Sequence, residues 1–178
     1  MATKGHDNDA AVIGSADSKC GNITIKNATI NLESVSGCYG VGIGVGKNQS
    51  LVSDSGENIV IENCYIKDNS AWDRHAASIG AGTSSKINNI TIKNSEIHGG
   101  AIGGSDNNNQ LFDFKCVGDI TIEGSIIDAN TRYGHRAAIG SSLYSGVGTI
   151  TITNSNVTAK TESGAAIGTG GYTSQSSS

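Results

Sequence analysis

Two motifs that alternate along 178 residues predict a single right-handed parallel β-helix of about five to six coils, with three short strands per coil. Three observations carry that reading. The alternation is strict, copies recur at steps near 30 residues, and the composition favours strands and corners over a core of large side chains. Aromatics make up only 4% and proline is absent, while isoleucine, threonine, glycine, serine and asparagine dominate. Branched Cβ atoms suit a pleated strand, and glycine and asparagine suit tight turns.

The first motif is a two-strand unit. It reads Asn22-Ile23-Thr24-Ile25 with Ile30, Asn58-Ile59-Val60-Ile61 with Ile66, and Asn89-Ile90-Thr91-Ile92 with Ile97. It continues as Asp119-Ile120-Thr121-Ile122 with Ile127 and Thr149-Ile150-Thr151-Ile152 with Val157. Side chains alternate across a strand, so both isoleucines of each Ile-Thr-Ile face inward and the residue between them faces out. Stacked coils then set like on like, giving inward columns 23-59-90-120-150, 25-61-92-122-152 and 30-66-97-127-157. The second motif is a small-residue strand ending in Ile-Gly, at Ile13, Ile43, Ile79, Ile102, Ile139 and Ile167. It supplies the fourth column. Each buried isoleucine contributes roughly 1.5–3 kcal/mol, which accounts for a stable chain with few aromatics.

Positions outside these columns support the register. Lys26, Glu62, Lys93, Glu123 and Thr153 follow the second isoleucine, so neighbouring coils present alternating charge. Next come Asn27, Asn63, Asn94, Gly124 and Asn154, whose amides can bond from coil to coil. Beside the Ile-Gly isoleucines stand Val12, Gly42, Ser78, Ala101, Ala138 and Ala166, a smooth strip expected to lie under the chain's own insertions or against another subunit or domain. Residues 1–9 read as an N-terminal edge resembling the start of an excised piece, 10–171 as the β-helix, and 172–178 as a linker-like tail.

The asparagine corner resembles the asparagine ladder of the pectate-lyase-type right-handed parallel β-helix superfamily. Cys20-Gly21-Asn22-Ile23-Thr24-Ile25 and the segment 164–170 are similar to repeats of large secreted bacterial surface proteins. That likeness implies an extracellular or cell-surface β-helix module that binds carbohydrate. Polygalacturonases and polysaccharide lyases share the fold, but the hydrolase Asp-Asp pair and Gly-His-Gly are absent, and Gly134-His135-Arg136 matches the latter only in part.

Chemistry-bearing residues concentrate before the Ile-Gly strands. Four residues upstream of each isoleucine stand Asp9, Tyr39, His75, His98, His135 and Ser163. Trp72, Asp73 and Arg74 precede His75; Arg132 and Tyr133 precede His135, and Arg136 follows it. Aromatic faces stack on sugar rings, and Arg and His hold carboxylates, so this edge is a candidate site for an acidic glycan. Polar turns with chance alignment are the plainer account. A histidine metal site lacks regularly spaced carboxylates. Asp106-Asn107-Asn108-Asn109 invites calcium, but neither the calcium nonapeptide nor an EF-hand spacing is present, so no cofactor is expected. The threonine column 24-91-121-151 raises ice binding, which the adjoining Lys/Glu ladder disfavours.

Net charge is −4 with no basic run, which argues against nucleic acid. No apolar run approaches the length of a membrane span. Among the four cysteines, Cys64 has inward parity and is expected as a buried free thiol, while Cys20 and Cys38 lie at corners and could be bridged; Cys116 is left open. The reading is therefore a non-catalytic surface module that binds polysaccharide or glycan or acts in adhesion. The alternatives are a fragment of a lyase or glycoside hydrolase acting on acidic polysaccharide, and a spacer solenoid.

Overall fold

The computed structural model describes residues 2–4, 11–15, 21–33, 41–46, 57–69, 77–105, 115–131 and 135–171. It opens with β1 (Ala2–Lys4) and β2 (Ala11–Ser15), followed by a coil of β3 (Ile23–Lys26), β4 (Thr29–Glu33) and β5 (Val41–Val45). The next coil holds β6 (Asn58–Glu62), β7 (Tyr65–Asp68) and β8 (Ala77–Ala81), and the one after it β9 (Ile87–Lys93), β10 (Glu96–His98) and β11 (Ile102–Gly104). Then come β12 (Lys115–Glu123), β13 (Ile126–Thr131) and β14 (Ile139–Ser141). The last coil carries β15 (Gly146–Val147), β16 (Ile150–Thr153), β17 (Asn156–Thr161) and β18 (Ile167–Thr169).

These strands form three parallel sheets, the architecture of a parallel β-helix. Sheet A runs β1-β4-β7-β10-β13-β17 and sheet B runs β2-β5-β8-β11-β14-β18. Sheet C runs β3-β6-β9-β12, with both β15 and β16 pairing β12. Like meets like in every column: Ile59 pairs Ile90, Ile90 pairs Ile120, Ile66 pairs Ile97, and Ile79 pairs Ile102. In the middle coils Ile61, Ile66, Ile79, Ile90, Ile92 and Ile122 have no exposure, whereas Ile167 in the last coil is 44% exposed. Ile87 and Val117 add a further inward column where β9 and β12 run longer than the repeat requires.

The corner between sheets C and A is built by the expected asparagines. Asn27, Asn63, Asn94 and Asn154 take φ of 53°, 54°, 47° and 51°, and Gly124 takes 60°. This left-handed region is open chiefly to glycine and asparagine, so the column is a backbone requirement as well as an amide ladder. One step of the ladder is Asn63 Nδ2 donating to Asn27 Oδ1 at 3.2 Å. Just past the corner a serine ladder follows inward. Ser95 Oγ donates to Lys93 O and accepts the Cys64 N–H, and Ser125 Oγ donates to Glu123 O and accepts the Ser95 N–H. Every hydroxyl thereby closes its own turn and ties it to the preceding coil.

On sheet B the strip beside the isoleucines is not an open face in the middle coils. Ser78 and Ala101 are 3% and 4% exposed, and Ala138 joins the hydrophobic core. The paired glycines 80, 103 and 140 run at φ of 141°, 134° and 136°. At Gly103 the positive φ would aim an added Cβ into the carbonyl oxygen of Gly140, so this column requires glycine.

Candidate functional site

Sheet A presents outward residues in register. One row is Thr29, Tyr65, Glu96, Ile126 and Asn156. The neighbouring row is Asn31, Lys67, His98, Asp128 and Thr158. Strand alternation explains the exposure, since Ile66, Ile97 and Ile127 take the inward turns between these rows. Tyr65 is 37% and Ile126 49% exposed, and among the described residues only Ile167 joins them as an exposed large apolar side chain. The His98 ring tilts against Tyr65 with centroids 5.7 Å apart, and its Nε2 lies 2.7 Å from Glu96 Oε1. Tyrosine, histidine and carboxylate thus fix one another on an open face.

A groove of about 600 Å³ runs along the corner beside this row. The asparagine column, with Asn63 and Asn94, forms one wall, and Tyr65, Glu96 and Ile126 form the other. A second hollow of about 440 Å³ lies on the outer face of sheet C between its threonine and asparagine columns. That asparagine column is a second ladder. Asn58 Nδ2 and Asn89 Nδ2 donate to Asn22 Oδ1 and Asn58 Oδ1, and the Asp119 and Thr149 N–H groups donate to Asn89 Oδ1 and Asp119 Oδ1. Its signal was present in the sequence, as an amide or carboxylate before four of the five first isoleucines.

Two of the three histidines counted onto one edge, His98 and His135, fall among the described residues. His98 ends β10 and registers with Lys67 and Asp128, whereas His135 lies further along the connection from β13 to β14. The connections that carry these residues differ in length. Between β10 and β11 the chain turns through Gly99 and Gly100 at φ of 88° and 65°, while the flanking coils carry longer connections there. Gly99 N–H donates to Asp128 O and Asn130 N–H donates to Gly100 O. Arg136, expected at the surface as an anion grip, is 2% exposed, with Nη2 donating to Ser105 Oγ at 2.9 Å. Its guanidinium serves an interior corner beside Cys116 and Ser145. Trp72, Asp73, Arg74, His75, Arg132 and Tyr133 lie outside the described residues, as do Cys20, Cys38 and Asp106–Asn109.

Among the described residues no group of three or more His, Cys, Asp or Glu could hold a metal ion, and no helix is long and apolar enough to cross a membrane. Cys64 and Cys116 are both free and buried. No family model matches the chain, and comparison with curated proteins and with solved structures finds no match.

Proposed function

We propose that the chain is a non-catalytic extracellular β-helix module that binds carbohydrate or acts in surface adhesion, its scaffold belonging with the pectate-lyase-type solenoids. The observation that carries this reading is the Tyr65 ring, exposed on a rigid sheet and held by His98, beside a groove lined with side-chain amides. An aromatic face takes the apolar side of a sugar ring, and amides and carboxylates take its hydroxyls. A site carried on stacked strands is fixed before the ligand arrives, which lowers the ordering cost of binding.

A glycan array probed with the chain tests the proposal. Binding to one glycan class, weakened by Tyr65→Ala and without product formation, is the expected result. Turnover of a uronic-acid polymer would make it an enzyme instead, and binding to no glycan would leave a spacer solenoid.

A further inference from the structure

We propose that the groove at the corner of sheets C and A takes an extended, uncharged polysaccharide lying parallel to the solenoid axis, one sugar per coil. The inference rests on the carbohydrate-binding reading and names the ligand class for the groove. Coils succeed one another at ~4.8 Å, close to the length of one pyranose ring in an extended chain. Tyr65 and Ile126 occupy the same row two coils apart, with Glu96 between them. In a β-1,4-linked chain alternate rings turn over, so rings two apart offer the same face to one wall. Tyr65 and Ile126 are spaced to cover two such faces, and Glu96 to accept a hydroxyl from the ring between. The amides of Asn63 and Asn94 line the opposite wall, and Gly124 leaves it without a side chain across from Ile126.

Charge narrows the class further. Among the described residues Glu96 is the one carboxylate that lines the groove, and no lysine or arginine lines it. An acidic polymer would bring its own carboxylates against Glu96, whose one cationic partner among the described residues is the His98 imidazole when protonated, with no lysine or arginine on the groove wall to hold the added charge. The acidic glycan expected for the histidine edge therefore does not suit this groove. An α-1,4-linked glucan coils and cannot follow a straight row across several coils.

Calorimetry with oligosaccharide series decides the matter. Cello-oligosaccharides should bind with affinity rising to about four units, one per coil at ~4.8 Å, and then level off. Malto-oligosaccharides and polygalacturonate should bind far more weakly. Tyr65→Ala and Ile126→Ala should each lower affinity about tenfold or less, as loss of one stacking contact would. Both side chains are substantially exposed, so both variants should keep the parent's circular dichroism. Equal binding of the malto series, no dependence on length, or cello-oligosaccharide binding untouched by both substitutions overturns the inference. Preference for polygalacturonate, sensitive to Tyr65→Ala, overturns it while leaving the carbohydrate reading in place. Failure of every saccharide on the array overturns both.

Discussion

Cys64 stands in the serine ladder at the place held by Ser95, Ser125 and Ser155 in later coils. Its Sγ lies 3.2 Å from Glu62 O, the same two-residue reach that Ser125 Oγ makes to Glu123 O at 2.8 Å. Parity against Ile66 was enough to read Cys64 as inward from the sequence, because alternation fixes facing. It could not reveal the ladder, since hydroxyl bonding depends on how adjacent coils stack. Cys116 is buried at another corner, 3.4 Å from Ser145 Oγ, and burial pushes its thiol up to about 11. Thiolate is the reactive form, so near neutral pH Cys116 is both shielded and protonated. Mass spectrometry after alkylation of the native chain should find Cys64 and Cys116 unlabelled, and labelled after denaturation. Labelling of Cys116 without unfolding would show that the corner at Ser145 opens in the native state.

Ladders act at the level of the strand, and the charged one is testable by pH. Lys26 Nζ lies 2.7 Å from Glu62 Oε2, and Lys93 Nζ lies 3.0 Å from Glu123 Oε2. The hydrogen bond from Lys26, then its charge and that of Lys93, hold the Glu62 carboxyl below its ordinary 4.5. A depressed folded-state value means the carboxylate stabilises the fold above the ordinary value, and this is lost as pH falls through the lowered one. Thermal unfolding of the parent and Glu62→Gln should differ in Tm at pH near 6 and converge as pH falls well below 4.5. A constant gap across that range would show that the pair does not contribute. The alternation of charge was legible in sequence because it lies on a column counted from a fixed isoleucine. The Asn22–Asn58–Asn89 ladder was open to the same count, since each asparagine stands directly before the first isoleucine of its motif.

At the scale of the molecule, what was legible is what repeats. All four isoleucine columns followed from counting within uninterrupted motifs, while the histidine edge was counted across connections of unequal length, where His98 registers with Asp128 and His135 comes later in the chain. Arg136 shows the same limit: a cation in a turn reads as surface, and only coil-to-coil packing buries it. The columns also make stability depend on position along the axis. Ile92 sits in β9 between Ile61 and Ile122 and has no exposure, whereas Ile167 lies at the end of its column and is 44% exposed. Ile92→Asp would place an unpaired carboxylate among isoleucines, at a cost of several kcal/mol against a total stability of about 5–15 kcal/mol for a domain. That variant should fail to fold, with no cooperative urea transition by circular dichroism. Ile167→Asp leaves its carboxylate within reach of water and should fold with a modestly lower midpoint. An Ile92→Asp chain that unfolds at the parent's urea concentration would mean that Ile92 does not face the interior, and the stacked columns would have to be redrawn.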